Sequence, residues 1–380
     1  MKIYVVKRGD SVYRISRAFG VPAAAIIAAN QLQNPDVLSV GQALVIPTGA
    51  TGADTHTGRE IVVNGYMTNA ADSTLLETLP YLTFLSPFSY RTDPQGNLTP
   101  TFEVDTGFSA GERAANLMTV TNLRAQGGFS SDIAHTVLTD QTAQDTLLSK
   151  IESTLVQGGY YGVNLDFEYV YPFDRESYNG FLRRLTDRMH QIGAIVVTAL
   201  APKVSDDQQG LLYTAHDYAF HGQTADYVVL MTYEWGYTYG PAMAVAPLNM
   251  VRRVLEYAVS AMPAGKILMG VPNYGYDWTL PFVQGTAARP LTNLRAVTLA
   301  GEVKAAIQFD AAAQSPFFRY YDTAGKQHEV WFEDARSLRA KYELVTEYGL
   351  GGISFWNLNS LFRTNFSVLQ SLYSVEKVLP

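Results

Sequence analysis

The 380-residue chain contains no cysteine. Disulfide bonds, thiol catalysis and zinc sites built on sulfur are therefore excluded. The sequence also lacks an apolar run of the roughly 20 residues that a membrane-spanning helix needs. Its N-terminus, MKIYVVKRGDSVYRIS, lacks the apolar core of a secretory signal. We therefore expect synthesis in the cytoplasm without a signal peptide, and no membrane partner.

Basic residues are too few for a typical nucleic-acid-binding protein. Lys and Arg number 28 against 35 Asp and Glu, which gives a net charge of −7, whereas a phosphate backbone requires a basic face. An apolar fraction of 47% with 17% charged residues is typical of a well-buried globular enzyme. The length is sufficient for one large domain and a small module.

The first 48 residues form a separate predicted unit. IYVV and QALVIP predict two short strands, and SVYRISRAFG and PAAAIIAANQ between them predict two helices. The next segment, residues 49–59, is rich in Gly, Thr and Ala without an apolar period, and it predicts a flexible linker. The sequence thus predicts a small βααβ domain ahead of a larger one.

This small unit resembles a LysM module. The resemblance depends on Gly9-Asp10-Ser11 before the first helix, Asn30 at the end of the second, and Val40-Gly41-Gln42 before the last strand. It implies binding of glycans that contain N-acetylglucosamine. The two loops that would contact sugar contain Gly9, Asp10 and Ser11 in one and Asn34 in the other. A single copy implies modest affinity without avidity.

From residue 60 to residue 380, β-like apolar runs alternate with helical patterns. Eight predicted strands alternate with helices over about 320 residues, which favours an α/β fold of the TIM (β/α)8 barrel type. An open doubly wound sheet is the main alternative, but no glycine-rich phosphate loop follows the first strand. The predicted strands are EIVVNGYMT, PYLTFLSPF, ANLMTVTN, YYGVNLDFEYV, AIVVTALAP, DYVVLMTYEW, KILMGVPNYGY and GGISFWNL.

More than 70 residues separate the seventh predicted strand from the eighth. Within them, FFRYYDTAGKQHEVWF predicts two strands around an Asp-Thr-Ala-Gly-Lys turn. We therefore predict a small α+β insertion at about residues 280–332, on the rim where barrel loops build active sites.

The segment GVNLDFE places polar side chains on one face of a strand that is otherwise apolar. Strand side chains alternate between faces, so Asn164, Asp166 and Glu168 should point together into the barrel, while Val163 and Leu165 face the helices. Burying carboxylates without partners costs several kcal/mol each. A satisfied ionic layer would be a structural explanation, but barrel enzymes place their chemistry at this end of the strands.

Two acids in this position suit glycoside hydrolysis, metal binding or enolisation. No neighbouring strand end offers further His or carboxylate ligands, which disfavours a metal. We therefore expect neither a metal ion nor a cofactor.

Three motifs in this order resemble glycoside hydrolase family 18. GVNLDFE is similar to the DGxDxDxE signature, MTYE at 231–234 to the M-x-Y-D/E pattern of the sixth strand, and GGISFW at 351–356 to the Trp segment of the eighth. With the LysM unit, MTYEWGYTYGP and VWFEDARS resemble the spore-cortex-lytic branch of N-acetylglucosaminidases.

The resemblance implies retaining hydrolysis assisted by the substrate. Glu168 would protonate the glycosidic oxygen and later deprotonate water. The 2-acetamido group of the substrate would attack the anomeric carbon, giving an oxazolinium ion that Asp166 stabilises. Tyr233 would bind the acetamido oxygen, and Trp356 would form the floor of the subsite for the cleaved sugar. Further substrate-binding residues on this basis are Asn164, Glu234, Asn122 and Tyr276.

The sequence departs from the signature at three positions. Tyr161 and Asn164 stand where the signature has its first two acids, and Glu234 stands where Asp is usual. Asn164 can hydrogen-bond Asp166 but cannot take its charge, so we expect Asp166 to be ionised more permanently than in chitinases. None of these departures removes Glu168, the predicted general acid, and we therefore expect the protein to be active.

The favoured function is cleavage of β-1,4 bonds after N-acetylglucosamine in spore cortex peptidoglycan. A chitinase and a non-catalytic glycan-binding spore protein remain alternatives, because the acids alone fit chitin equally well. The resemblance also implies a spore location near the coat and cortex. We expect a monomer whose partner is a glycan that contains N-acetylglucosamine.

Overall fold

A computed structural model describes residues 1–47, 58–69, 72–88, 90–101 and 114–379. The predicted linker, residues 49–59, lies outside the described residues except for its last two. In the described ranges no single helix is long and apolar enough to cross a bilayer. One pair, Val12–Phe19 and Ala23–Ala29, passes that test of length and composition only when joined across a 111° bend.

The N-terminal module has the predicted strand–helix–helix–strand order. Its elements are β1 (Lys2–Val5), α1 (Val12–Phe19), α2 (Ala23–Ala29) and β2 (Ala43–Ile46). The two strands pair in antiparallel register, and Ile15, Ile26 and Leu44 form the centre of their own small core. Ser11 begins α1 by accepting a hydrogen bond from the Arg14 N–H, which satisfies one of the free donors of the first turn.

The larger domain begins with an alternation of strands and helices. In chain order its elements are β3 (Glu60–Met67), α3 (Asp72–Thr78), β4 (Phe84–Pro87), β5 (Tyr90–Thr92), β6 (Leu98–Pro100), β7 (Ala115–Thr121), α4 (Ser131–Thr139), α5 (Gln141–Gly158), β8 (Gly162–Asp166), α6 (Arg175–Gln191), β9 (Ile195–Leu200), α7 (Tyr218–Thr224), β10 (Tyr227–Leu230), α8 (Leu248–Ala261) and β11 (Ile267–Pro272).

The chain then forms an insertion before it returns to the barrel. The remaining elements are β12 (Tyr274–Leu280), β13 (Arg289–Thr292), α9 (Asn293–Glu302), β14 (Gln308–Asp310), β15 (Ser315–Tyr321), β16 (Gln327–Trp331), α10 (Ala335–Glu347), β17 (Gly352–Trp356), α11 (Arg363–Gln370) and β18 (Ser374–Val375). Short 3₁₀ helices occur at Leu79–Tyr81, Pro172–Asp174 and Ala264–Lys266.

Eight parallel strands within the described residues close into a barrel, in the order β3, β4, β7, β8, β9, β10, β11 and β17. The register of β17 against β3 closes the circle. The predicted TIM (β/α)8 fold is therefore confirmed. Val163 and Leu165 of β8 pack in one apolar cluster with Leu147 of α5 and Phe181 of α6, so the alternation of the strand is satisfied as predicted.

The insertion between β11 and α10 is an antiparallel sheet in the order β13, β12, β16, β15 and β14. The two strands predicted around the Asp-Thr-Ala-Gly-Lys turn are β15 and β16, whose register pairs Tyr321 with Gln327. The sheet starts at Tyr274 rather than near residue 280, because only Asn273 separates β11 from β12.

The LysM-like module packs directly on the larger domain. The Ile307 N–H donates to the Val40 carbonyl at 2.8 Å, and Arg336 donates to the Gly41 carbonyl at 3.1 Å. Val45 of β2 belongs to the main apolar cluster of the barrel. A Cβ on Gly41 would lie 1.8 Å from the Ile307 carbonyl oxygen, so this contact requires glycine. The LysM-like module is thus held against the larger domain by hydrogen bonds and apolar contacts.

Candidate active site

The carboxyl ends of the barrel strands surround a cavity of about 570 Å³. Three carboxyl groups and several aromatic rings line it. Among the lining residues are Asp166, Glu168, Glu234, Tyr66, Tyr233 and Trp356. Five of these six residues, all except Tyr66, were predicted from the sequence. Together the six residues come from the ends of four different strands. A cavity of this size and lining is typical of a small-molecule or saccharide site.

Asp166 and Glu168 lie where β8 leaves the barrel wall. The strand was predicted to continue to about residue 170, but its ladder with β7 ends at Asp166. Glu168 therefore belongs to the following loop. Asn122 holds that loop, because its Oδ1 accepts from the Glu168 N–H at 3.0 Å and its Nδ2 donates to the Glu168 carbonyl at 2.8 Å. The acid is positioned through its backbone, and its side chain faces the cavity.

Asn122 lies behind the cavity rather than on its wall. Its side chain is completely buried, and it makes a further hydrogen bond from Nδ2 to the Ser130 carbonyl at 3.0 Å. Its surroundings favour a positioning role, and direct contact with a sugar stays a prediction. Its place at the end of the third strand identified an important polar residue but not what that residue contacts.

Both acids have raised pKa values. Burial raises the pKa of Asp166 to about 7, and burial together with the charges of Asp166 and Glu234 raises the pKa of Glu168 well above its usual value. One Asp166 oxygen is buried without a hydrogen-bond partner, so little in the protein favours its ionised form. The raised pKa of Glu168 favours its protonated form, which a general acid requires.

Asn164 lies below the cavity and does not line it. Its Nδ2 donates to the Tyr66 hydroxyl at 2.7 Å and to Ser86 Oγ at 3.3 Å, and its side chain is completely buried. Asn164 thus hydrogen-bonds Tyr66 and Ser86 rather than Asp166, and contact between Asn164 and substrate stays a prediction. Burial raises the pKa of Asp166 to about 7, and the comparison of its ionisation with that in chitinases stays a prediction. Asn164 instead holds Tyr66 against the site.

Tyr233 and Trp356 lie on the cavity wall as predicted. Tyr233 is 9% exposed, and burial raises its pKa well above the usual value, so its hydroxyl stays a proton donor. Trp356 packs edge-on against Tyr66 and Phe88, with ring centroids 5.4 Å and 5.2 Å away. These contacts fix the orientation of the indole and leave it able to offer a flat face to a sugar.

Glu234 is held by the insertion. Tyr276 donates its hydroxyl to Glu234 Oε1 at 3.0 Å, and Tyr274 donates to the same oxygen. Burial raises the pKa of Glu234 although these two hydrogen bonds oppose the effect. Its backbone has a φ of 68°, a conformation that costs a non-glycine residue of order 1 kcal/mol or more. This strain is typical of residues whose position matters for function.

The prediction that Tyr276 binds substrate directly is not supported by its surroundings. It is 7% exposed, and its hydroxyl is committed to Glu234, so it positions that carboxyl instead. Trp278, the next inward residue of β12, is 2% exposed and donates to the Gly240 carbonyl. Both aromatic rings anchor the insertion beside the cavity.

Sequence reasoning missed several rings that line the cavity. Tyr66 ends the first barrel strand, Phe88 follows the second, and Phe129 lies in the loop after the third. Tyr213 and Tyr237 come from loops after β9 and β10. Their places after strand ends were the available signal, since barrel active sites are built from these loops.

The candidate sugar-contacting residues of the module have mixed surroundings. Gly9 is exposed with a φ of 87°, and Asn34 is exposed with its Oδ1 accepting from the Asp36 N–H. Asp10 accepts hydrogen bonds from the Lys7 N–H and the Tyr4 hydroxyl, which lower its pKa. Asp10 and Ser11 thus shape their loop, and a direct role for them in binding remains a prediction.

No metal-binding group was found in the described part of the chain. There, no three His, Cys, Asp or Glu side chains lie close enough together to hold an ion. The titratable side chains that line the cavity are the carboxyl groups of Asp166, Glu168 and Glu234 and the hydroxyl groups of tyrosines.

Comparison with known proteins agrees with this geometry. The family model for glycosyl hydrolases family 18 matches residues 123–360, and the LysM domain model matches residues 4–47. A cortical fragment-lytic enzyme from Bacillus subtilis (strain 168) is 42% identical over 99% of both chains. A cortical fragment-lytic enzyme from Bacillus cereus is 39% identical over 99% of both chains.

The same similarity is seen among solved structures. The crystal structure of the Bacillus megaterium QM B1551 spore cortex-lytic enzyme SleL matches with a TM-score of 0.92 and 36% identity, and covers 99% of this chain and 98% of that one. The resemblance found in the sequence motifs is thus confirmed over almost the whole chain. The chain belongs to glycosyl hydrolase family 18 and is a glycoside hydrolase that carries an N-terminal LysM domain.

Proposed function

We propose that the protein cleaves β-1,4 bonds after N-acetylglucosamine in spore cortex peptidoglycan, acting on fragments already opened by another lytic enzyme. The names of the similar proteins support this substrate, since they are cortical fragment-lytic and spore cortex-lytic enzymes. The LysM domain supports a glycan partner. The observation that carries the proposal is the pair of buried carboxyl groups, Asp166 and Glu168, in one cavity with Tyr233 and Trp356.

In this proposal Glu168 is the general acid. Burial and the neighbouring charges raise its pKa and favour the protonated carboxyl, which donates a proton to the glycosidic oxygen as the bond breaks. The 2-acetamido oxygen of the substrate then forms the bond to the anomeric carbon. The ionised Glu168 afterwards takes a proton from the water that opens the oxazolinium ion. The same carboxyl group thus donates a proton in the first step and accepts a proton in the second.

Asp166 stabilises the positive charge of that intermediate. It lies at the end of β8, two residues before the acid, and it lines the cavity in which the acetamido N–H would bind. As positive charge develops on the sugar, the ionised form of Asp166 is favoured, because an opposite charge lowers the pKa of a carboxyl group. Tyr233 binds the acetamido oxygen, and Trp356 supports the apolar face of the ring.

Glu234 binds a substrate hydroxyl in the same cavity. Its carboxylate is aimed by Tyr274 and Tyr276 of the insertion, and the longer side chain of Glu compared with Asp extends its reach by one methylene. The insertion therefore contributes to substrate recognition through this carboxyl.

The LysM domain binds the wall glycan through the loops at Gly9, Asp10 and Ser11 and at Asn34. Gly9 and Asn34 are exposed, and a Cβ built on Gly9 would meet nothing within 4 Å. We further propose that the enzyme acts in the coat and cortex region of the spore, as a monomer.

Mass spectrometry of the products from purified cortex fragments tests this function. We expect new reducing ends on N-acetylglucosamine. Glu168→Gln should keep its fold and reduce turnover about 100- to 10,000-fold. Products that end in muramic acid would contradict the proposed bond, and unchanged release by Glu168→Gln would contradict the assignment of the acid.

A chitinase activity is the second candidate. The crystal structure of a chitinase from Chromobacterium violaceum ATCC 12472 matches with a TM-score of 0.76 and 28% identity over 82% of this chain. Rates on chitooligosaccharides measured against fragments that contain muramic acid separate the two functions. Faster turnover of chitooligosaccharides would favour the chitinase. Binding of cortex without any released reducing end would indicate a non-catalytic glycan-binding protein.

A further inference from the structure

Two pairs of aromatic rings lie on the loops beside the catalytic acid. Phe129 and Tyr169 line the cavity, and Tyr171 and Phe173 follow on the same loop after β8. We call these four residues the aromatic ledge. Phe173 is 72% exposed and Tyr169 is 40% exposed. Grouped exposed rings of this kind mark interaction surfaces more often than isolated ones do.

The ledge consists of one pair of rings between the loops after β7 and β8 and a second pair within the loop after β8. Phe129 of the loop after β7 lies 6.4 Å from Tyr169 between ring centroids. Further out, Tyr171 stacks on Phe173 at 5.0 Å with an angle of 18°. His135 of α4 packs edge-on against Phe173 at 5.6 Å. The rings thus form an inner pair at the cavity and an outer pair that lies two to four residues after Tyr169 on the loop that follows β8.

Hydrogen bonds hold both loops in place beneath the rings. Asn122 donates to the carbonyl of Ser130, next to Phe129, and to the carbonyl of Glu168, next to Tyr169. One buried side chain therefore fixes the inner pair of rings and the catalytic acid together. Because the rings are fixed before a ligand arrives, little conformational entropy is lost on binding.

The outer pair of rings is fixed in a similar way. The Tyr171 hydroxyl donates to Asp132 of α4 at 2.7 Å, and His135 Nδ1 lies 2.8 Å from the carboxylate of Asp174, a residue that is 2% exposed. These contacts join the loop after β8 to α4 and leave the outer face of Phe173 without a partner among the described residues. The loop keeps a large apolar ring in solvent.

The backbone conformation of Tyr169 also favours a role of this residue in binding. Its φ is 54°, a left-handed conformation that is unfavourable for a bulky residue and is retained at binding sites when the surroundings enforce it. This conformation follows Glu168 directly and turns the ring of Tyr169 towards Phe129. The strain is therefore located where the ledge joins the cavity.

We propose that the aromatic ledge binds further sugars of the same glycan strand whose bond is cleaved in the cavity. The occupant follows from position, because the inner rings line the cavity that holds Glu168 and the outer rings lie on the same loop as Glu168 and Tyr169. Aromatic faces stack on the C–H faces of sugar rings without needing charge, which suits a polymer whose sugars repeat. The inference rests on the proposed function and extends it, since it makes long strands better substrates than short ones.

The test compares cortex fragments of two lengths, tetrasaccharides and strands of more than ten sugars. For Phe173→Ala, we expect the ratio of kcat/KM on long fragments to that on tetrasaccharides to fall about three- to tenfold. Phe173→Trp should restore the ratio. Tyr321→Ala is the matched control, because Tyr321 is 68% exposed on the insertion, and its ratio should equal that of the wild type. An unchanged ratio in Phe173→Ala would overturn the proposal.

A binding experiment separates failure of the ledge from failure of the proposed function. If the wild type releases nothing from cortex, the function is wrong, and the ledge can still be tested with Glu168→Gln protein. Its dissociation constant for long strands should rise three- to tenfold when Phe173→Ala is added. An equal constant with and without that change would show that the ledge does not bind glycan.

Discussion

Replacing Asp166 by Asn should stabilise the protein at neutral and alkaline pH. Burial raises the pKa of this carboxyl from 3.8 to about 7, so between about pH 4 and pH 7 the folded state binds a proton that the unfolded state has lost. The stability of the wild type therefore falls as the pH rises through this window. Above pH 7 the carboxylate is ionised in both states, and the free-energy cost of burying its charge is fully present. Asp166→Asn removes the titrating group and its cost.

The size of the effect follows from the pKa. A pKa difference of one corresponds to about 1.4 kcal/mol, so a rise from 3.8 to about 7 makes the ionised carboxylate oppose folding by about 4 kcal/mol. The stability of Asp166→Asn relative to the wild type should thus be higher at pH 8 than at pH 4 by up to that amount. The pKa of Glu168 should also fall, since the charge of Asp166 helps to raise it.

Urea unfolding at pH 4, 6 and 8 measures the effect directly. Asp217→Asn is a control of opposite sign. Burial opposes the ionisation of Asp217, but hydrogen bonds from the Phe220 N–H, Arg175 and Asn179 lower its pKa overall, so this variant should be less stable than the wild type at pH 8. A stability difference between Asp166→Asn and the wild type that is the same at all three pH values would refute the reasoning.

Other changes give independent expectations. Lys341→Met should destabilise the protein by about 3–5 kcal/mol in urea unfolding, because it leaves its buried partner Glu333 unpaired; no loss would contradict the pairing. Deleting residues 1–47 should lower the melting temperature of the catalytic domain, because it uncovers the surface that Val45 covers, and an unchanged temperature would show that the interface is not stabilising. Gly270→Ala should reduce kcat at nearly normal KM, since its Cβ would lie 2.8 Å from Tyr233 Cε1 and 2.5 Å from the Leu230 carbonyl oxygen; full activity would argue against a precisely held tyrosine.

Much of the barrel could be predicted because its elements have strong periodicity. The apolar residues of the segment RESYNGFLRRLTDRMHQ repeat at helical spacing for its whole length, and the structure has a helix over the same residues, Arg175–Gln191. The hairpin of β5 and β6 was missed because each strand has only three residues, which is too short for an alternating pattern. The docking of the LysM domain depends on long-range contacts that local pattern does not contain.

The candidate site could be predicted only in part, because local sequence pattern assigns a side chain to a face of a strand and gives no contacts. Strand alternation correctly placed Asn164 on the inner face, but it gives no information on depth, and Asn164 lies below the cavity while Asp166 lines it. The sequence likewise placed Asn122 and Tyr276 at the ends of predicted strands near the site. Only the structure shows that their polar groups are used by Glu168 and Glu234.

The anomeric form of the first product tests the central claim most directly. If the acetamido group of the substrate attacks while Glu168 acts first as acid and then as base, the configuration is inverted twice. Proton NMR during the first minutes of hydrolysis should then show the new reducing end as the β anomer, which later converts to the equilibrium mixture. Initial release of the α anomer would contradict the account.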